Sequence, residues 1–143
     1  MSRQTSGMRD SCHYYDWLEY AAEDLHLAKL LLGTKQCANA IGFHLQQAIE
    51  KALKAFILFK TGYPVDGHNI TWLCKTAGKR DAKILGWLDM TPVMNRMYIE
   101  TRYPADIPFK IDYIDLKAIH NMIAELYEYV CSVIYEGRET TEK

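Results

Sequence analysis

The apolar positions repeat with a helical rhythm along most of the chain. Tyr14, Leu18, Ala21, Leu25, Ala28 and Leu32 recur at alternating spacings of four and three, which places them on one face of a helix. Gly33-Thr34 reads as the stop, because glycine accepts a left-handed cap. Ile41, Leu45, Ala48, Ala52, Ala55 and Phe59 repeat the rhythm until Gly62 and Pro64 end it. Two long helices with a short connection make an antiparallel hairpin, and alanines in both stripes allow close approach. The middle of the chain is more broken. Asn69 or Asp66 can cap a short helix through Ile70, Leu73 and Ala77 that stops at Gly78, and a second short helix is expected from Asp81 to Asp89. Thr91-Pro92 predicts a further start, a hydroxyl cap with proline at the first helical position, leading through Met97 and Ile99. Pro104 and Pro108 then impose an irregular stretch. Asp112 is placed to cap the last long helix, whose buried stripe is Ile119, Ile123, Leu126, Val130 and Val133.

No segment alternates with period two between hairpin turns. The expected fold class is all-α, an up-and-down bundle of about four to six helices, three of them long. A length of 143 residues suits one domain. The expected organisation is a flexible N-terminus at 1–10, a single helical domain at 11–136 and a charged tail at 137–143.

Composition narrows the function classes. A hydrophobic fraction of 49 % excludes a disordered chain. The longest clean apolar run, Ala55 to Phe59, is far short of the ~20 residues of a membrane helix. Residues 1–10 lack an apolar signal core, so a cytoplasmic protein without membrane association is expected. Cys12, Cys37, Cys74 and Cys131 form no Cys-x-x-Cys pair, which points to reduced, mostly buried thiols. The net charge of −1 argues against a strongly basic nucleic-acid binder. Charge is nonetheless uneven. Residues 10–32 set Asp10, Asp16, Glu19, Glu23 and Asp24 against Lys29, and residues 75–83 set Lys75, Lys79, Arg80 and Lys83 against Asp81. Both groups read as solvated surfaces.

The general catalytic motifs are missing: no P-loop, no Gly-x-Gly-x-x-Gly, no His-Glu-x-x-His and no Gly-x-Ser-x-Gly. Histidines 13, 26, 44, 68 and 120 never fall at metal-ligand spacing, so neither metal nor cofactor is expected. Two strings carry more. In Phe43-His44-Leu45-Gln46-Gln47-Ala48-Ile49-Glu50-Lys51-Ala52-Leu53-Lys54-Ala55, His44, Gln47 and Lys51 share one helix face and Gln46, Glu50 and Lys54 another. In Tyr98-Ile99-Glu100-Thr101-Arg102-Tyr103-Pro104 a helix gives way to a proline-held loop. Arginine there suits bidentate phosphate contact, and tyrosine suits stacking on a base.

Together these strings resemble the HEPN family (higher eukaryote and prokaryote nucleotide-binding domains). Its members look like Phe-His-x-Gln-Gln-Ala-x-Glu-Lys-x-Leu-Lys-Ala, then a helix preceded by histidine, then Thr-Arg-Tyr-Pro. His68-Asn69-Ile70-Thr71-Trp72-Leu73 fits the middle element, and Trp17-Leu18 with Ala22-Glu23-Asp24-Leu25 the opening helix. The resemblance spans residues 14–134. It implies a bundle that pairs as a homodimer, acts beside a minimal nucleotidyltransferase in a two-gene system of toxin–antitoxin type, and holds a nucleotide or RNA. The candidate binding residues are His44, Gln47, Lys51, Arg96, Arg102 and Tyr103.

Ribonuclease members of the family carry an arginine followed, after four to six residues, by histidine. From Arg96 those spacings reach Thr101, Arg102 and Tyr103, and from Arg102 they reach Ile107, Pro108 and Phe109. Threonine cannot replace an imidazole that titrates near neutrality, a group worth roughly 10²–10⁴-fold in acid–base catalysis. The expectation is therefore binding without cleavage. Two alternatives stay open: a metal-independent endoribonuclease with an unusual acid–base pair, and an oligomerising scaffold with no nucleic-acid role. Blander roles compete for single residues. His44 can be satisfied within the helix pair, Glu50 and Lys54 can form a surface pair, and Arg102 can anchor its loop through Asp106. Trp17, Trp72 and Trp87 read as core or dimer-interface aromatics.

Overall fold

The computed structural model describes residues 10–101 and 111–142. Helix α1 (Tyr14–Thr34) and helix α2 (Ala38–Thr61) form the hairpin, followed by α3 (Ile70–Gly78), a 3-10 helix (Ala82–Met90), α4 (Thr91–Glu100) and α5 (Tyr113–Glu142). Among the described residues there is no strand. All but the last residue of the expected N-terminal segment 1–10 and the Pro104–Pro108 stretch lie outside the described residues, as do Arg102, Tyr103 and Asp106.

α2 is the central element. It packs against α1, α3, α4 and α5, and Ile41, Leu45, Ala48, Ile49, Ala52, Leu53, Ala55 and Phe56 along it are fully buried. Gly62 ends it at φ 81°, with its N–H bonded to the Leu58 carbonyl, the cap that glycine provides without strain. α3 starts where Asn69 Oδ1 accepts the Trp72 N–H at 3.0 Å. The 3-10 helix starts where Asp81 accepts the Lys83 N–H, and Asp112 Oδ1 accepts the Asp115 N–H at the head of α5.

Several local expectations shift. The left-handed cap of α1 falls on Lys35 (φ 57°) rather than on Gly33. Cys37 (φ 62°) repeats that conformation, so the hairpin turns on two strained non-glycine residues. Thr91 does not cap α4. Its hydroxyl instead donates to the Leu88 carbonyl of the preceding 3-10 turn, and Met90 holds the cap position. In α5 the buried position is Ile134, with Val133 half-buried beside it. That helix also continues through Gly137 to Glu142. A Cβ at Gly137 would stand 2.6 Å from Phe59 Cζ, so the glycine there serves helix crossing, not a stop. The cysteines are free, but only Cys74 is buried; Cys12 and Cys37 are exposed. Burial raises the Cys74 thiol above its ordinary value, which keeps it protonated.

Two side-chain hydrogen bonds tie the 3-10 helix and its cap to α5. Trp87 Nε1 donates to the Met122 carbonyl at 3.0 Å, and the Tyr129 hydroxyl donates to Asp81 Oδ2 at 2.5 Å. That hydrogen bond to a carboxylate, with some burial, pushes the phenol up to about 12. Its folded value lies above the ordinary one, so the bond contributes stability below about pH 10, and this is lost as pH rises through about 12. In an alkaline absorbance titration, Tyr129 should ionise later than an unperturbed tyrosine, and Asp81→Asn should bring it back toward pH 10. An unchanged titration in that variant would refute the assignment.

Candidate functional site

Along one edge of the hairpin seam, polar groups replace the apolar stripe. Asp24 sits on α1 in register with Ala21 and Ala28, both fully buried, and is itself 7 % exposed. Its carboxylate holds two side chains of α2. His44 Nδ1 lies 2.9 Å from Oδ1, and Lys51 Nζ donates to Oδ2 at 2.7 Å. An ionised carboxylate only accepts, so the proton sits on His44 Nδ1 and Nε2 faces away from the pair. His44 Nε2 makes no hydrogen bond among the described residues. The sequence groups Asp24 with a solvated acidic surface, and the structure corrects this. Asp24 is buried because its helical register places it in the seam, where the Lys51 ammonium and the His44 ring N–H offset its desolvation.

A second cluster lies on the neighbouring face of α2. Glu50 is 5 % exposed and Lys54 5 %; Lys54 Nζ donates to Glu50 Oε2 at 3.1 Å. Gln46 Nε2 donates to Glu50 Oε1 at 2.9 Å, and Gln47 Nε2 donates to Gln46 Oε1 at 2.7 Å. His68 closes the cluster, its Nδ1 lying 3.0 Å from Glu50 Oε2, while its ring stacks on Tyr98 of α4 with centroids 4.5 Å apart. The Glu50–Lys54 pair is therefore buried, not superficial. Among the described residues no buried side-chain polar atom lacks a partner.

The aromatics of α1 meet these lysines. Lys51 Nζ lies 5.5 Å from the centre of the Tyr20 ring, and Lys54 Nζ 5.5 Å from that of Trp17, distances that suit cation–π attraction. Trp17 Nε1 also donates to the Ser11 carbonyl at 2.9 Å. Trp17 and Trp87 are partly buried against the core, whereas Trp72 is 49 % exposed.

Of the six candidate binding residues, the structure joins His44 and Lys51 through Asp24, whereas Gln47 bonds Gln46 in the second cluster of α2. Arg96 is exposed on α4, and Arg102 and Tyr103 are outside the described residues. α4 reaches this region at its C-terminal end. A Cβ on Gly42 would stand 3.1 Å from Thr101 Cγ2 and 3.4 Å from Met97 Sδ, so the absence of a side chain at Gly42 lets Thr101 pack on α2 two residues before His44. Asp24 and His68 did not emerge from the sequence as site residues. Asp24 could have been found by its place in the Trp17–Ala21–Asp24–Ala28 register. The contact of His68 with Glu50 has no sequence signal, because it joins a loop to a helix 18 residues away. No group of three or more His, Cys, Asp or Glu among the described residues could hold a metal ion.

Fold and site together define an all-helical module built on a hairpin whose seam carries paired carboxylates, lysines and imidazoles. The sequence matches the model of the HEPN domain over residues 14–134, and the chain belongs to that family. Among solved structures, TT1696 from Thermus thermophilus is similar at 26 % identity and a TM-score of 0.71, covering 83 % of this chain and 96 % of that one. ST0689, described as an archaeal HEPN homologue, is similar in fold at 23 % identity and a TM-score of 0.65, covering 85 % and 98 %. No curated protein matches the sequence. Among the described residues, no helix is long and apolar enough to cross a membrane.

Proposed function

We propose that this HEPN module binds a nucleotide or an RNA segment without cleaving it, as a homodimer in the cytoplasm beside a minimal nucleotidyltransferase. The observation that carries the reading is the Asp24-held His44, with Nε2 left for a ligand and Thr101 packed two residues away against Gly42. A neutral His44 accepts through Nε2 from a ribose hydroxyl or a base amino group; a protonated one donates to phosphate. Arg102 follows Thr101 directly in the chain, and its guanidinium is the proposed phosphate contact. Arg96 adds positive charge on the helix that ends at this point, and Tyr103 is the proposed stacking partner. Lys51 is engaged by the same carboxylate as His44 and in this reading fixes its position, while Gln47, bonded to Gln46, flanks the site.

The Asp24–His44 pair also favours the second reading, an endoribonuclease. A carboxylate orienting an imidazole is the arrangement of a general base. A single set of assays separates the two. Mononucleotides and a short RNA should raise the melting temperature, because a ligand that binds only the folded state stabilises it. Arg96→Glu and Arg102→Glu should each weaken binding roughly tenfold or more by placing a carboxylate against phosphate, with helicity unchanged. RNA should remain intact in excess chelator. Unchanged affinity in both variants refutes the assignment of the site. Cleavage by the wild type that is lost in His44→Ala makes the protein a ribonuclease instead.

A further inference from the structure

The buried side of α1 is used by α2 and α5, but its other side carries a continuous stripe that, among the described residues, only the Lys51 side chain reaches, at the Tyr20 ring. Asp16, Glu19, Tyr20, Glu23, Leu27 and Leu30 follow one another at helical spacings of one, three and four, so they share a face. Tyr20 is 58 % exposed, Leu27 42 % and Leu30 56 %. Seven residues separate Tyr20 from Leu27 and three more lead to Leu30, the spacing of a seam that receives a second helix. Two shallow concavities of about 700 and 520 Å³ adjoin along the face and share Glu19 as a wall. Glu19 and Glu23 form no ion pair or hydrogen bond among the described residues. Lys51, which borders the larger concavity, already neutralises Asp24.

We propose that this face of α1 docks a basic amphipathic helix of a partner protein. The partner's apolar stripe would cover Tyr20, Leu27 and Leu30, and flanking Lys or Arg side chains would meet Asp16, Glu19 and Glu23. Charge selects the occupant. Nucleic acid would bring phosphates against the carboxylates. A second copy docked antiparallel, with Tyr20 opposite Leu30, would set Glu23 of each chain against Leu27 of the other, desolvating a carboxylate with no cation beside it. A basic helix covers the same apolar surface and supplies those cations, which also speeds encounter. The two readings are tested separately, because Glu19, Glu23 and Leu27, the side chains varied below, touch neither His44 nor Asp24; Lys51 alone borders both regions.

The test uses the full chain and a synthetic helical peptide of about 20 residues, matching the length of α1. It carries leucine at the seam positions and arginine beside them; a control peptide carries glutamate in place of arginine. The arginine peptide should bind and shift amide resonances on α1, and the control should not bind. Glu19→Lys/Glu23→Lys and Leu27→Asp should each weaken binding roughly tenfold or more, with circular dichroism unchanged because all three positions are outside the core. Undiminished binding by both variants, or resonance shifts confined to other helices, overturns the proposal. So does sedimentation showing a dimer that Leu27→Asp dissociates, which would make a second copy the occupant.

Discussion

Replacing Glu50 with alanine is expected to cost the fold about 3–5 kcal/mol, the range for breaking a buried ion pair by removing one partner. Glu50 and Lys54 are each 5 % exposed, so Lys54 would keep its charge in the core with no carboxylate beside it. Gln46 Nε2 and His68 Nδ1 would lose their acceptor as well. For a chain of this size a loss of that order lowers the melting temperature by roughly 10 °C. The double variant Glu50→Leu/Lys54→Met should lose much less than Glu50→Ala, since it leaves no uncompensated charge and refills the volume. Urea denaturation of the two variants decides the matter. Equal losses would show that packing, not charge, dominates at this point of α2.

Asp24→Ala is the second large effect, expected at about 2–4 kcal/mol. It falls below the first because the side chains released, Lys51 and His44, are 19 % and 23 % exposed and can recover part of their hydration. Asp24→Asn should retain some of the lost stability, since the amide oxygen still accepts from one of the two donors while its NH₂ opposes the other. The same substitution reaches the proposed function. With Nδ1 released, His44 no longer presents Nε2 in one orientation, so nucleotide affinity should fall in Asp24→Asn even at temperatures where the fold is intact. Calorimetric titration alongside denaturation separates the two consequences. Stability lost with affinity retained would remove His44 from the site.

Both predictions fall on residues whose importance is poorly visible along the chain. Glu50 and Lys54 stand four apart on a helix, a spacing that belongs more often to a solvated pair. They are buried because α2 is enclosed by α1, α3, α4 and α5, which leaves hardly any of its circumference to water. Asp24 sits one residue before an apolar position, in a stretch whose other carboxylates lie nearer solvent. Its burial follows from register on α1 and from the lysine and imidazole that α2 presents to it.

The helical class, the placement of the helices to within a few residues, the apolar stripes of α1 and α2, the caps at Gly62 and Asp112, and the family are all legible in the sequence alone. These are local properties. Period, capping and chain punctuation act within one or two helical turns, so a linear reading reaches them. Tertiary structure decided that Lys35 and Cys37 would carry the left-handed turn of the hairpin, that Gly137 would pass Phe59 instead of ending a helix, and that Asp24 and Glu50 would each gather an imidazole and a lysine. Those outcomes depend on which surfaces meet. A carboxylate's partners 18, 20 or 27 residues away are fixed by packing angles and by the desolvation of everything around them, which spacing along a single chain does not encode.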